Sequence, residues 1–205
     1  MAGSTGASAP VGVLALQGDF REHAAVLRSF GADVISVRRP SELAQVSGLV
    51  IPGGESSVID KLSRMFGVAE PLKEAIAAGL PVYGTCAGLI MLADRLVDAI
   101  AGQQSFGGLD IAVRRNAFGS QKDSFEVDID IPELGEPAVH AVFIRAPVVD
   151  DVGERASVLG ALEDGRVIAV EQGNLLGTSF HPEMTEDYRF HRRFYNRVLE
   201  VGFQR

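Results

Sequence analysis

The sequence feature that most constrains the fold is a five-residue turn around the single cysteine of the chain. Residues 84–88 read Gly-Thr-Cys-Ala-Gly, between a short apolar run at 80–83 and an apolar helical run at 89–93. This pattern is typical of a sharp strand-to-helix turn that presents a nucleophile at the top of a sheet. The glycines permit close backbone approach, and the helix dipole favours a thiolate. We interpret Cys86 as a nucleophile; the alternative is a small apolar residue buried in a core strand.

The first half of the chain alternates short apolar runs with helical segments. Such runs are typical of strands buried on both faces, and we predict them at residues 11–16, 34–37, 48–51 and 80–83. Asp19, with Glu22 three residues on, and Ser57 are the expected N-caps of helices. A further helix is expected over residues 71–78. Strands that alternate with helices in this way predict a parallel sheet covered on both faces.

The second half of the chain is rich in strands. Residues 125–131 alternate strictly between apolar and acidic, which predicts a strand with one face in water. We predict further strands at residues 111–115, 139–144, 167–170 and 175–180. A last helix over 186–201 places Phe190, Phe194, Val198 and Val201 on one face. We therefore expect an α/β fold in which a mostly parallel central sheet carries an antiparallel β extension.

Composition narrows the class of protein. Lysines and arginines number 19 and acidic residues 27, so the net charge is −8, which argues against a nucleic-acid partner. One cysteine forms no internal disulfide, which favours a reducing, cytoplasmic location. No apolar stretch reaches the roughly 18 residues of a membrane span. We expect residues 1–10 to be a flexible lead-in without secretory-signal features, and residues 11–205 to form one domain.

Of the four histidines, His181 is the best candidate for a base. It ends the apolar run 175–180, and the carboxyl ends of strands in open α/β sheets collect ligand chemistry. Glu183, two residues on, can orient the imidazole because Pro182 restricts the backbone between them. The alternative for this segment alone is a loop with a helix-starting proline. His23 and His191 have charged neighbours and are expected on the solvated surface, whereas His140 is either exposed or a hydrogen-bonded core residue.

A glycine pair follows the predicted strand 48–51, in the segment Pro-Gly-Gly-Glu-Ser-Ser at 52–57. No Gly-Lys-Ser/Thr follows, so the segment is not a phosphate-binding loop. Paired glycines can present backbone N–H groups to a site. We expect the N–H groups of Gly54 and Ala87 to stabilise an oxyanion formed on Cys86. Loss of one such donor typically raises the activation free energy by about 3 kcal/mol. The alternative is a simple turn between strand and helix.

These segments in this order resemble the triad glutamine amidotransferases, which use Cys, His and Glu on a flavodoxin-like three-layer fold. Further segments are similar to the glutaminase subunits of pyridoxal 5′-phosphate synthase, and the likeness runs from about Val11 to the last helix. They read Gly-Val-Leu-Ala-Leu-Gln-Gly at 12–18, Arg-Glu-His at 21–23, Arg-Asn-Ala-Phe-Gly at 115–119 and Val-Phe-Ile-Arg-Ala-Pro at 142–147.

The resemblance implies hydrolysis of L-glutamine to L-glutamate and ammonia through a γ-glutamyl thioester on Cys86. His181 would act as the base and Glu183 would orient it. The glutamine pocket would be formed by Gly54, Glu55, Ser56, Arg115, Ile144 and Arg145. A guanidinium suits the α-carboxylate of the substrate, but the sequence leaves open which arginine binds it.

The resemblance also implies a partner. Ammonia would pass to a (β/α)₈-barrel synthase subunit that makes pyridoxal 5′-phosphate, and the cofactor chemistry would belong to that subunit. We expect no cofactor and no metal in this chain. Gln17 and the first helix, with Arg21 and His23, are the candidates for the docking face.

Two alternatives stay open at this point. One is a glutaminase of another synthase or a γ-glutamyl hydrolase, which the segments at 115–119 and 142–147 argue against. The other is a non-catalytic protein on the same fold, which the filled triad positions argue against. A zinc enzyme is disfavoured because His181 and Glu183 lack further ligands at useful spacing. A secreted cysteine protease is disfavoured by the absence of a signal peptide.

Overall fold

The computed structural model describes residues 10–115 and 124–202. Most of the expected lead-in at 1–10 and most of the segment at 115–119 therefore lie outside the described residues. The helices are α1 Phe20–Ser29, α2 Pro40–Leu43, α3 Ser56–Met65, α4 Ala69–Ala77, α5 Ala87–Leu92 and α6 Arg189–Gly202. The strands of the first half are β1 Val11–Leu14, β2 Val34–Val37, β3 Gly48–Ile51, β4 Val82–Thr85 and β5 Ala93–Leu96. Those of the second half are β6 Leu109–Arg114, β7 Ser124–Ile129, β8 Val139–Ile144, β9 Val148–Val152, β10 Ser157–Ala161, β11 Val167–Gln172 and β12 Leu175–Thr178.

One half of the main sheet is parallel, in the order β2-β1-β3-β4-β12. Strands β1, β3, β4 and β12 are buried along their whole length, which is why the sequence shows them as continuous apolar runs. Strand β12 is the last in the chain but pairs with β4, with Thr178 opposite Thr85. This pairing brings two distant segments of the sequence to the same edge.

The other half of the sheet is largely antiparallel and continues as β12-β11-β9-β6-β5, with β10 on β11. Strands β7 and β8 form a separate antiparallel pair. The alternation of exposed and less exposed residues along β7 confirms the strand predicted at 125–131, although β7 ends at Ile129. The expected α/β class, with a mostly parallel sheet and an antiparallel extension, is confirmed.

The main sheet separates two apolar cores. Helices α2 to α5 contribute Leu43, Ile59, Leu72 and Leu89 to one core. Helices α1 and α6 and the β7–β8 pair contribute to the other, through residues such as Leu27 and Phe194. Neighbouring strand residues alternate between the cores, as expected of a three-layer α/β/α arrangement. Among the described residues, no helix combines the length and the apolar character needed to cross a membrane.

One predicted helix cap is wrong and the other is confirmed in position. Helix α3 begins at Ser56, and its cap is Glu55 rather than Ser57; the Glu55 carboxylate accepts from the N–H of Ser57 at 3.4 Å. Asp19 is the N-cap residue of α1, as predicted, but its side chain makes no capping hydrogen bond. Its carboxylate instead approaches His181, with Oδ2 lying 3.8 Å from Nδ1. The side chain that could cap a helix therefore contributes to a cleft.

Candidate active site

Cys86 stands in a strained turn at the carboxyl end of β4. Its φ of +48° is unusual for a residue with a side chain, and strain of this kind concentrates at functional sites. A Cβ at Gly84 would lie 2.4 Å from the carbonyl oxygen of Gly88, and one at Gly88 would lie 2.0 Å from that of Ile51. Both flanking positions therefore require glycine, as the five-residue pattern predicts.

Strand pairing carries His181 to the same place. The N–H of Cys86 donates to the carbonyl of Thr178, the last residue of β12, at 2.8 Å. His181 follows three residues later; it lines the same cleft as Cys86, and interaction with the Cys86 side chain is one of the causes that raise the pKa of its imidazole. The structure therefore brings the two residues together across 95 positions of sequence, because parallel neighbours β4 and β12 end at one edge.

Glu183 completes a buried row of three side chains. Its Oε1 is 2.7 Å from Nδ1 of His181, and its carboxylate is fully buried. Burial alone would lower the pKa of His181, but hydrogen bonds with Cys86 and Glu183 outweigh it and raise that pKa to about 10. His181 is therefore an imidazolium at neutral pH, held between a sulfur and a carboxylate.

These groups open into a cleft of about 370 Å³. Every residue expected at the glutamine pocket lines it, and so do several that were assigned elsewhere or not at all. The lining residues are Gln17, Asp19, Gly54, Glu55, Ser56, Cys86, Ile90, Arg115, Ile144, Arg145 and His181. The cleft thus collects the ends of β1, β3, β4 and β12 together with the end of β8.

Arg115 is held in place on one side of the cleft. Its Nη2 donates to Oε1 of Glu55 at 2.7 Å, and Nη1 donates to Oε1 of Gln103 at 2.9 Å. The amide of Gln103 in turn donates to the hydroxyl of Ser56 at 3.0 Å. Nε of Arg115 is buried and has no hydrogen-bond partner among the described residues. The guanidinium is therefore already paired with a carboxylate, and Gln103 is a part of this network that sequence reasoning missed.

Arg145 lies at the rim and differs from Arg115 in two ways. It is exposed, and it forms no ion pair with any of the residues described in this structure. Its φ of +46° is again unusual for a residue with a side chain. It follows Ile144, the last residue of β8, so the turn directs the Ile144–Arg145 pair to the edge where Cys86 lies.

The glycine pair after β3 packs closely against its neighbours. A Cβ at Gly53 would lie 2.6 Å from Cε1 of His181, so this position must be small for the imidazole to fit. Gly54 has a φ of +145°, and a Cβ there would lie 2.3 Å from Oε1 of Gln17. That same oxygen accepts from the N–H of Glu55 at 2.7 Å. Gln17, predicted on a docking face, is thus built into the cleft.

The cleft also contains a set of potential metal ligands. Ligand atoms of Asp19, His181 and Glu183 lie within 4.8 Å of one another. Nδ1 of His181 is already hydrogen-bonded to Glu183, so a metal at this nitrogen would have to displace the carboxylate. The geometry favours an oriented imidazole facing a thiol.

This geometry agrees with the outcome of a family comparison. A sequence model described as the SNO glutamine amidotransferase family matches residues 13–200, which include all three members of the row and the whole cleft. The chain belongs to the SNO glutamine amidotransferase family.

Sequence similarity to known proteins extends over nearly the whole chain. "Pyridoxal 5′-phosphate synthase subunit PdxT" of Clavibacter michiganensis subsp. michiganensis is 67% identical over 206 aligned positions, covering 98% of this chain and 99% of that protein. The protein of the same name from Leifsonia xyli subsp. xyli is 68% identical over 188 positions, covering 92% and 95%. A crystal structure titled as a glutamine amidotransferase is 44% identical, with a TM-score of 0.85 and coverage of 92% and 98%.

Two histidine predictions are wrong for this member of the SNO family. His23 and His191, expected on the surface, are fully buried against each other, with Nδ1 of His23 2.8 Å from Nε2 of His191. The signal was present, because His23 lies four residues before buried Leu27 and His191 lies three before Phe194. Helical spacing outweighs the charge of adjacent residues, which point elsewhere. The side chain of His23 is therefore not exposed on the surface of α1. His140 is exposed, one of its two stated alternatives, and pairs with Glu126 and Asp128.

Asp19 is a cleft residue that sequence reasoning missed. The rule that placed Cys86 and His181, namely that side chains following parallel strands meet at one edge, applies equally to the segment after β1. Residues 17–19 follow that strand, and two of them line the cleft. The signal was therefore available.

A second cavity of about 360 Å³ lies beside α6, and its lining includes four arginines. Arg189, Arg193 and Arg197 are each paired with a carboxylate, and Arg192 stacks over Phe30 at 4.0 Å. Three of the four arginines are therefore paired with carboxylates of this chain and the fourth lies over an aromatic ring, so we do not select this cavity as a candidate site.

Proposed function

We propose that this chain hydrolyses L-glutamine to L-glutamate and ammonia, with Cys86 as nucleophile, His181 as general base and acid, and Glu183 as the group that orients His181. The observation that carries the proposal is the row of Cys86, His181 and Glu183 at the ends of two paired parallel strands. Membership of a glutamine amidotransferase family supports the choice of substrate.

The chemistry follows from the charges of the row. With His181 protonated, the sulfur of Cys86 can be a thiolate that attacks the side-chain carbonyl carbon of glutamine. The resulting oxyanion would be stabilised by the N–H groups of Gly54 and Ala87. His181 then gives its proton to the leaving nitrogen, and ammonia departs. His181, now neutral, takes a proton from water, which attacks the thioester and releases glutamate.

Substrate binding would use both arginines differently. Arg145, exposed and without an ion pair among the described residues, can take the α-carboxylate without losing a partner. Arg115 would have to exchange or share the carboxylate of Glu55, which lies 2.7 Å away. Glu55 and Ser56 would then be available to the α-amino group. This division resolves, as a proposal, the choice between the arginines that the sequence leaves open.

We further propose that the ammonia is delivered to a (β/α)₈-barrel subunit for pyridoxal 5′-phosphate synthesis. The names of the relatives at 67% and 68% identity support this assignment. Exposed Arg21 on α1 stays a candidate docking residue. A cytoplasmic location stays a prediction.

The test is an assay of glutamate release by the chain alone, with the barrel subunit, and as Cys86→Ala. We expect weak release alone, clear stimulation by the partner, and no release above background for the variant. His140→Gln, which alters an exposed histidine of β8, serves as the matched control and should keep the stimulated rate. Stimulated turnover in Cys86→Ala would overturn the mechanism. If the barrel subunit did not stimulate the wild-type chain, the assignment to this synthase would be overturned.

A further inference from the structure

A second row of buried polar groups lies directly behind the first. His23 of α1 and His191 of α6 are both fully buried, with Nδ1 of His23 2.8 Å from Nε2 of His191. Nε2 of His23 lies 3.1 Å from the hydroxyl of Thr85 and 3.4 Å from Oε2 of Glu183. The row therefore ends near Oε2 of Glu183, whereas it is Oε1 that is hydrogen-bonded with His181.

Two independent observations assign the protons in this row. Oε2 of Glu183 is buried, accepts no hydrogen bond of standard geometry within the described residues and lies 3.4 Å from Nε2 of His23; a lone pair on Nε2 would be repelled by this carboxylate, which favours an N–H there. Nδ1 of His23 is then an acceptor, and Nε2–H of His191 donates to it. This leaves Nδ1 of His191 as a bare lone pair, and that atom is buried without a partner among the same residues. The opposite assignment would strand a buried N–H there.

Both histidines of this row are neutral. Burial, with His191 and His181 adding to it, lowers the pKa of His23 well below its usual value, and burial lowers that of His191 to about 4. The other titratable groups facing the row are Glu183, Tyr83 and Tyr188. The rings of both tyrosines pack edge-on against His191, and the hydroxyl of Tyr83 bonds Thr178. A neutral donor suits Glu183, because it satisfies the carboxylate without competing with His181 for its charge.

We propose that His23 is a positioning residue for the reaction: its Nε2–H, which lies between the hydroxyl of Thr85 at 3.1 Å and Oε2 of Glu183 at 3.4 Å, stabilises the orientation of the carboxylate in which Oε1 is directed at Nδ1 of His181. The inference rests on the proposed glutaminase function. A buried carboxylate needs partners for both oxygens, and its orientation decides where the imidazole points. The 3.4 Å separation belongs to the free chain, and catalytic hydrogen bonds commonly shorten when substrate binds.

The side chain of His23 can be replaced in a way that separates the contact of Nδ1 with His191 from the contacts of Nε2 with Thr85 and Glu183. In His23→Gln the amide reaches the position of Nε2 and can donate to Glu183. In His23→Asn the shorter amide lies near the position of Nδ1, so it can reach His191 but not Glu183. We expect His23→Asn to lower the partner-stimulated kcat about 10- to 100-fold, the range typical of groups that orient a functional side chain, with KM unchanged. His23→Gln should recover most of the rate.

A second readout does not depend on turnover. An NMR titration of the His181 imidazole reports the anionic partners of that ring. If Glu183 turns away, His181 loses a partner that raises its pKa, so we expect the His181 midpoint of His23→Asn to fall and that of His23→Gln to stay near the wild type. Equal kcat and equal His181 midpoints in the two variants would overturn the proposal, even if both unfold at lower temperature. A wild-type chain that releases no glutamate with its partner would instead refute the proposed function, and the His181 midpoints would still decide the role of His23.

Discussion

The histidine of the cleft and the histidine pair beneath it are both buried, yet their charges differ. His181 has its pKa raised to about 10, whereas the pKa of His191 is lowered to about 4 and that of His23 also falls. Burial acts in the same direction on all three, since it disfavours the imidazolium. The difference lies in the partners: His181 bonds both Cys86 and Glu183, whereas His191 bonds only a neutral imidazole among the described residues.

The comparison shows how one carboxylate can divide a buried region into a charged and a neutral part. Glu183 directs one oxygen to His181 at 2.7 Å and the other to His23 at 3.4 Å. The near side becomes an ion pair suited to activating a thiol. The far side stays neutral, so the protein does not bury a second positive charge next to the first.

The two parts also affect stability with opposite pH dependence. A raised pKa means that the contribution of His181 is complete below pH 6.5 and is lost as pH rises through about 10. The lowered pKa values of His23 and His191 mean that their contribution is complete above pH 6.5 and is lost as pH falls. Between these limits both parts of the network are intact.

The largest expected effect comes from removing the charge of Glu183, the carboxylate between charged His181 and the neutral pair His23 and His191. In Glu183→Gln, burial acts on His181 with one anionic partner fewer, so its pKa should fall well below 10. In a Ser-His-Asp triad the comparable amide substitution lowers kcat about 10⁴-fold, and we expect a loss approaching that size in stimulated glutamate release.

The matched control is Glu171→Gln, which removes a carboxylate bound to Arg193 on the far side of β12 from Cys86. That variant should keep the stimulated rate. A Glu183→Gln enzyme that retains more than a tenth of the wild-type kcat would contradict the assigned role of Glu183 and the reason given for the raised pKa of His181.

A smaller effect, on stability, tests the neutral part. Below pH 6.5, His191 takes up a proton in the unfolded chain, whereas in the folded chain it stays neutral until about pH 4. Acid should therefore destabilise the chain. The difference in pKa corresponds to about 3 kcal/mol by pH 4 for His191 alone. Urea unfolding between pH 7.5 and 4 should show this loss, and His191→Phe should show a shallower dependence. Parallel slopes for the two proteins would mean that folding does not lower the pKa of His191.

The network shows which parts of such a molecule a sequence can predict. The strand runs, the turn at Cys86 and the position of His181 depend on local patterns plus one topological rule, that parallel strands share an edge. Those features were predicted correctly. Burial of His23 depends on α6, which begins 166 residues later, and local charge at Arg21 and Glu22 misled the interpretation.

Pairings between distant side chains were also beyond the sequence. Arg115 meets Glu55 across 60 positions, and either could equally have faced solvent or substrate. Asp19 is the N-cap residue of α1, as predicted, but its side chain makes no capping hydrogen bond and its carboxylate is instead close to His181. A sequence gives the types of groups available, but the partner of each polar group is fixed only when the layers pack.

The smallest expected effect concerns His140, the histidine that pairs with carboxylates in water rather than in the interior. Hydrogen bonds with Asp128 and then Glu126 raise its pKa, the same direction as for His181, so its contribution to stability is present below pH 6.5 and lost as pH rises through the raised value. Salt screens exposed charges, with a Debye length of about 3 Å at 1 M. In an NMR titration we therefore expect the His140 midpoint to lie above 6.5 at low salt and to fall toward 6.5 in about 1 M NaCl, while the buried His181 keeps its high midpoint. If both midpoints fell together, the partners that raise the pKa of His181 would be exposed to solvent like those of His140. Burial of the ion pair would then not explain why His181 differs from His23 and His191.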